Sequence, residues 1–255
     1  MAIVKTSDYV EFYRYLANTE GVHALAGRGD ETAATEYANV HILECLELTA
    51  DDRLLDIGCG DGCLLRMAAG KVRTRVGIVP NVEEYGRIHA AWPEVVVRVG
   101  IAQRLPVESE SFSRIVCNSV IPLLESETEV SAALREIARV AEKGARICVG
   151  ELPAADELSK FGKYRGNSVF GFLVHESGKG VRPFIHALRS VSSAWVGRSS
   201  MALSSARIFY AAPEKFIRMA EDCGLRYVTH FKYQRLDRTG EVIESPFRYN
   251  YIFEK

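Results

Sequence analysis

No apolar run in this sequence approaches the roughly 20 residues a helix needs to cross a bilayer. The greasiest stretch outside the expected strands, Val169 to Val174, is far too short, so integral membrane association is not expected. An excess of one charge is missing too. Thirty-two Lys and Arg stand against 33 Asp and Glu, a formal net charge of −1, which draws the chain as a whole toward neither nucleic acid nor an anionic surface. The six cysteines (Cys45, Cys59, Cys63, Cys117, Cys148, Cys223) lack the close doublets of a metal or disulfide framework. They read as buried reduced thiols, and no metal site is expected. The opening, MAIVKTSDYVEFY, interrupts any secretory apolar stretch with Asp8 and Glu11, and the chain reads as cytoplasmic. Internal repeats and low-complexity tracts are absent as well.

What is present suits a large globular core: 255 residues, 47% of them hydrophobic, with one main domain as the expectation. Short β-branched runs alternate with helical patterns from Arg53 to Glu151, the signature of a parallel sheet with crossover helices. The expected strands are Arg53 to Ile57, Arg75 to Val79, Val95 to Val99, Arg114 to Asn118 and Arg146 to Glu151. Ser126 and Glu129 form a capping box, followed by Val130, Leu134, Ile137 and Ala141 on one face, with Gly144 as the expected stop. A second helix is expected from Pro213 through Phe216, Ile217 and Ala220 to Gly224. Two β-rich runs, Leu225 to Leu236 and Phe247 to Phe253, then read as a hairpin turning at Asp237 to Gly240.

The sharpest motif is Leu54-Leu55-Asp56-Ile57-Gly58-Cys59-Gly60-Asp61-Gly62, an apolar strand entering closely spaced glycines before a helix from Cys63 to Ala69. Glycine permits the tight turn and leaves no Cβ between backbone and ligand, at the strand end where open α/β sheets bind their ligands. Dinucleotide enzymes space these glycines as G-x-G-x-x-G, whereas this chain has G-x-G-x-G.

In this motif the chain resembles the class I S-adenosylmethionine-dependent methyltransferases, whose first motif has the form E/D-x-G-x-G-x-G. Leu105-Pro106, Ser111-Phe112, the strand Arg114 to Asn118 and the helix around Leu134 to Val140 extend the likeness. The resemblance implies a Rossmann-like, seven-stranded, mostly parallel α/β sheet with a C-terminal antiparallel hairpin. Residues 1–47 would form an N-terminal helical lid, 48–153 the cofactor-binding core and 154–206 an acceptor-binding insertion. Residues 207–255 would complete the core. S-adenosyl-L-methionine would be the cofactor. Asp56 would serve its ammonium group, Gly58, Cys59 and Gly60 would line its amino acid moiety, and Asn118 would border the sulfonium and the acceptor.

The pattern departs from the family at two places. Val79, in Val79-Pro80-Asn81, stands where an acid usually accepts the ribose hydroxyls, and Ile101, before Ala102, stands where an Asp usually meets the adenine. Asn81, Glu83 or Glu84 are the candidate replacements for the first contact, and a backbone amide for the second. The absent acid also counts against a nicotinamide enzyme.

Candidate bases for the acceptor are His186 and Glu151, with His175, His230 and Tyr210 behind them. His186 lies in the insertion and Glu151 ends a strand on the ligand face. The insertion also carries seven basic residues (Lys160, Lys163, Arg165, Lys179, Arg182, Arg189, Arg198) against three acids, which fits either an anionic acceptor or a solvated face. Its aromatics, Phe161, Tyr164, Phe170, Phe172, Phe184 and Trp195, suit a small core beneath a lid or a stacking pocket. Tyr9, Phe12, Tyr13, Tyr15 and Leu16 are expected to cover the site from the other side. The function implied is methyl transfer to a small-molecule acceptor, oxygen or nitrogen, a sugar or glycan precursor included, with no nucleic acid partner. The alternative is a non-catalytic S-adenosylmethionine-binding partner or sensor.

Overall fold

Strands with apolar residues at successive positions can be covered on both faces, and the central strands here are. The computed structural model describes residues 3–6, 9–19, 22–26, 32–160, 168–197, 201–204, 208–237 and 239–255. In chain order the strands are β1 (Ile3–Thr6), β2 (Arg53–Ile57), β3 (Thr74–Val79), β4 (Val97–Val99), β5 (Phe112–Asn118), β6 (Ala141–Pro153), β7 (Met201–Ser204), β8 (Arg226–Leu236) and β9 (Val242–Glu254). The helices are α1 (Tyr9–Thr19), α2 (Thr32–Leu46), α3 (Cys63–Met67), α4 (Val82–Ala91), α5 (Glu127–Val140), α6 (Val169–Ser177), α7 (Val181–Trp195) and α8 (Pro213–Glu221), with 3-10 turns at Val22–Ala26, Ile121–Leu123 and Ala155–Lys160.

The main sheet has seven strands in the order β4-β3-β2-β5-β6-β9-β8. The first five are mutually parallel, and β9 runs antiparallel to both β6 and β8. This is the Rossmann-like seven-stranded sheet that the sequence implies, closed by its C-terminal hairpin. Alternate side chains feed two cores. Leu55, Ile115, Ile147 and Phe253 pack with Val130, Leu134 and Ile137 of α5 and Phe216 of α8 on one face. Leu54, Val116, Cys148 and Ile252 pack with Ile42 and Leu46 of α2 and Leu65 of α3 on the other. Burial puts Cys59, Cys117 and Cys148 inside and leaves Cys45, Cys63 and Cys223 half-buried, all six as free thiols.

Three expectations change. α5 begins at the expected cap, where the Ser126 hydroxyl accepts from the Glu129 amide at 3.2 Å, but it ends at Val140 rather than Gly144. Ala141 already belongs to β6, and the Gly144 amide, at φ 81°, donates to the carbonyl of Lys255 at 2.7 Å. The stretch expected to be irregular contains α6 and α7, whose inner faces meet at Val169, Phe172, Leu173, Val191 and Ala194. Finally, β1 precedes the expected N-terminal helices and pairs in parallel with β7, so the two segments expected as separate covers share a second, two-stranded sheet. That pairing joins positions roughly two hundred residues apart, which periodicity within either segment does not reveal. Phe161, Lys163, Tyr164, Arg165 and Arg198 lie outside the described residues.

Candidate functional site

Gly58, Gly60 and Gly62 all have left-handed backbone, with φ of 74°, 55° and 76°, where a residue with a Cβ is strained. The bend is tied to the neighbouring strand: the amides of Gly58 and Cys59 donate to the carbonyl of Ile78 at 2.9 and 3.1 Å. Space confirms the backbone argument at Gly58, where an added Cβ would stand 2.3 Å from a methyl of Val120.

The bend forms the floor of a cavity of about 450 Å³, large enough for a nucleoside-sized ligand with a small neighbour. Core residues Asp56, Ile57, Gly58, Cys59, Gly60, Asp61, Ile78, Pro80, Glu84, Gly100, Ile101, Ala102 and Asn118 line it. Tyr9, Val10 and Tyr13 of α1, Leu25, and Thr35 and Asn39 of α2 close it from the N-terminal side, with Ser119, Val120, Leu123, Glu125 and Glu129 at the other end. Arg14 of α1 pairs with Glu83 of α4 at 3.4 Å. His23 Nδ1 lies 3.1 Å from Asp61 Oδ2, joining the covering segment to the glycine bend itself.

Asp56 is buried, and its carboxyl is pushed up to about 7, first by burial and then by the nearby Asp61, with no hydrogen bond offsetting either effect. A buried acid in this state is stabilised by a cation entering the cavity. The residues therefore fit a ligand with an ammonium group at this end. Glu84 is a further buried acid of the lining, beside Asp56 and Asp61. Asn81 caps α4 by accepting from the Glu84 amide at 2.9 Å, while its own Nδ2 donates to Glu84 Oε1 at 2.6 Å. Burial pushes the Glu84 carboxyl up to about 7 against that hydrogen bond.

The expected residues thus fall into two sets. Asp56, Gly58, Cys59, Gly60, Pro80, Ile101, Ala102 and Asn118 line the cavity; Val79 and Asn81 do not. Val79 is fully buried among α3 and α4 side chains, and Asn81 spends its side chain on Glu84. The wall beside the end of β3 is made by Pro80 and Glu84. Glu84 was legible as the fourth member of an Asn-x-x-Glu capping pattern, and Asp61 as the acid between two of the glycines.

The two candidate bases also lie off the lining. His186 sits exposed on α7. Glu151 is buried, at φ 59°, and is engaged on several sides. Arg248 Nη1 donates to its Oε2 at 2.5 Å, Asn118 Nδ2 to its Oε1 at 3.2 Å, and its own amide donates to Asn250 Oδ1 at 2.9 Å. A carboxylate so held by an arginine is poorly placed to take a proton from an acceptor. It instead fixes the carboxamide of Asn118, whose Oδ1 lies so close to Gly150 that a Cβ there would meet it at 2.0 Å. Among the described residues, no part of the 154–206 segment lines the cavity, and no group of three or more His, Cys, Asp or Glu is placed to hold a metal. Nor is any described helix long and apolar enough to cross a membrane.

Residues 55–149, from β2 into β6, match a family model described as a methyltransferase domain. No curated protein sequence matches the chain. Among solved structures, an S-adenosylmethionine-dependent methyltransferase from Methanosarcina mazei is similar at TM-score 0.56 and 19% identity, over 84% of this chain and 96% of that one. The N-methyltransferase NodS from Bradyrhizobium japonicum, solved with S-adenosyl-L-homocysteine, is similar at TM-score 0.60 and 13% identity, over 97% and 98%. A [4+2]-cyclase, SpnF, is similar at TM-score 0.62 and 15% identity, over 99% and 97%. At these identities the likenesses establish the fold.

Proposed function

We propose that this chain is a methyltransferase of the class I S-adenosylmethionine-dependent family and that it transfers a methyl group from S-adenosylmethionine to an uncharged or cationic small molecule. The observation that carries the cofactor is the left-handed glycine bend with the buried, bond-poor carboxylate of Asp56 at its edge. Bound there, S-adenosylmethionine would supply an electrophilic methyl group on a sulfonium that leaves readily, so that the protein's contribution is alignment and exclusion of water.

Each part of the cavity has a task in that work. Asp56 meets the ammonium group, and ionises fully as it does so. Glu84, held by Asn81, accepts from the ribose hydroxyls in place of the strand-end acid that Val79 replaces. Asn118, fixed by Glu151 and Gly150, borders the methyl and the acceptor. Tyr9, Val10 and Tyr13 keep water out from above, and the His23–Asp61 contact holds that cover to the glycine bend.

The acceptor's charge follows from the lining. Among the described residues its ionisable side chains are Asp56, Asp61, Glu84, Glu125 and Glu129, with no Lys, Arg or His. A like charge about 4 Å away costs about 1 to 4 kcal/mol, depending on how much water screens it. An anionic acceptor is therefore disfavoured, and an amine or a neutral sugar hydroxyl suits the cavity.

Calorimetry with S-adenosylhomocysteine tests the cofactor, and formation of S-adenosylhomocysteine from S-adenosylmethionine tests turnover across amines, neutral sugars, carboxylates and sugar phosphates. Binding with turnover confined to amines or neutral sugars is expected; no binding at millimolar cofactor would end the proposal. Binding without turnover on any acceptor would favour the second reading, a cofactor-binding protein without methyl transfer. The departures at Val79 and Ile101, and a cyclase on the same fold, support that reading.

A further inference from the structure

We propose that the α6–α7 hairpin is a docking surface for an anionic lipid membrane. α7 buries Ala187, Val191 and Ala194 against α6, and the pair touches the rest of the described structure mainly through β1 and β7. That inner face uses only part of the hairpin's apolar side chains. Val181, Ile185, Leu188 and Trp195 recur at the spacing of one helical stripe, and all four are exposed, Val181 at 73% and Trp195 at 67%. Phe170, at 77%, and Val174 add a parallel pair on α6. The largest apolar side chains of a soluble domain are ordinarily inside, and a contiguous exposed stripe of this kind marks a surface meant for another phase or partner.

Charge selects between those occupants. Arg182 and Arg189 lie one residue beyond Val181 and Leu188 respectively, so they flank the stripe along one side, and both are exposed. Among the described residues neither arginine is paired with a carboxylate, whereas Lys179 is held by Glu176 at 2.5 Å. From Ser177 to Ala212 the sequence carries Lys179, Arg182, Arg189, Arg198 and Arg207 and no Asp or Glu at all, in a chain whose overall formal charge is −1. An apolar stripe rimmed by basic residues, with Trp and Phe among the apolar groups, is the pattern of a helix lying in the headgroup region of an anionic bilayer. A second copy of the chain fits less well, because a self-complementary interface across this stripe would set the flanking arginines of both copies near one interface without an acid to answer them.

The test is co-sedimentation of the full chain with vesicles of phosphatidylcholine alone and of phosphatidylcholine mixed with phosphatidylserine, with quenching of tryptophan emission by brominated lipid as a second readout. Binding to the mixed vesicles, weak or absent on phosphatidylcholine alone and falling with salt, is expected. Ile185→Ser with Leu188→Ser should abolish it. Arg182→Gln with Arg189→Gln should weaken it about twenty-five-fold, at about fivefold per basic side chain, and Trp195→Phe should remove most of the quenching. All three variants should keep the wild-type far-ultraviolet circular dichroism and a cooperative thermal unfolding, which shows that they fold. Absence of binding to the mixed vesicles, or equal binding by wild type and the Ile185/Leu188 variant, would overturn the proposal. So would a dimer in solution that the same substitutions dissociate while vesicles are ignored. Because no readout depends on methyl transfer, this surface and the proposed reaction stand or fall separately.

Discussion

Replacing Asp56 by Asn should stabilise the ligand-free protein at alkaline pH and weaken its hold on the cofactor. The Asp56 carboxyl is raised from its ordinary 3.8 to about 7, a shift of roughly three pH units worth about 4 kcal/mol between its two protonation states. Because the folded value is the higher one, the native chain keeps this proton after the unfolded chain has lost it. Unfolding then releases a proton, and stability falls as pH rises from about 4 to about 7 before levelling off. Asparagine carries no such charge. It does bring a buried amide with incomplete hydrogen bonding, which costs about 1 to 3 kcal/mol, so the expected net gain at about pH 8 is about 1 to 3 kcal/mol, and near pH 5 the gain should vanish or reverse. Urea unfolding of both proteins without ligand measures this, and the difference between them removes the parallel contribution of Glu84, present in both. A second arm follows from the same carboxyl. Binding an ammonium group beside a half-protonated acid expels protons, so near pH 7 the heat of S-adenosylhomocysteine binding should vary with the ionisation enthalpy of the buffer, and less so in Asp56→Asn. A stability difference that is the same at both pH values would refute the reasoning.

Glu84→Gln, which keeps a partner for Asn81 while removing the charge, should weaken S-adenosylhomocysteine binding about ten- to a hundredfold by calorimetry, and unchanged affinity would remove Glu84 from the ribose. Gly58→Ala should lower thermal stability by about 2 kcal/mol, through left-handed backbone and the methyl of Val120, and Val120→Ala in the same chain should return part of that loss; no recovery would mean the clash is not the cause. Arg248→Met removes the guanidinium that donates to the buried Glu151 carboxylate and should cost about 3 kcal/mol in denaturant unfolding, with Glu151→Gln added to it restoring much of the loss. His186→Ala, exposed and off the cavity, should leave cofactor binding and turnover within about twofold, since such surface changes move little; a loss of tenfold or more would bring α7 to the reaction.

Local signals carried most of the fold. The glycine bend, the Ser126 cap, Pro213 opening α8 and the polar turn before β9 each act within a few residues, and each lies where the sequence implies. The covering segments are different. α6 and α7 contain glycines, serines and scattered charges that read as irregular, and their helical character rests on packing against one another. The β1–β7 pair has two four-residue strands brought together only by the tertiary fold. At the site, Asp56 and Asn118 were legible because strand ends point to ligands in such sheets. The position of Glu151 is also a strand end, yet its carboxylate is turned to Arg248, a residue nearly a hundred positions away, and spacing holds no trace of that contact.

The acid missing at the end of β3, where Val79 stands, is matched by the acid present at Glu84 in the first turn of α4. A strand that ends on the ligand face and the first turn of the helix after it form the same wall, so an acceptor for hydroxyls can stand on either. Moving it into the helix changes its surroundings: Glu84 gains a capping partner in Asn81 and the favourable N-terminal end of α4, and both keep a buried carboxylate oriented. Val79, freed of a polar task, packs with Ile88 and Leu65. No comparable exchange serves Ile101, which is exposed at the cavity's edge, with Gly100 pressed so closely by Pro106 that a Cβ there would lie 2.5 Å from the ring. The loop at that end would therefore meet a ligand through backbone, apolar surface and the neutral carboxamide of Gln103, which also lines the cavity. Discrimination among nucleosides there is expected to be looser than on the Glu84 side, and analogues altered in the base should lose less affinity than analogues lacking the ribose hydroxyls.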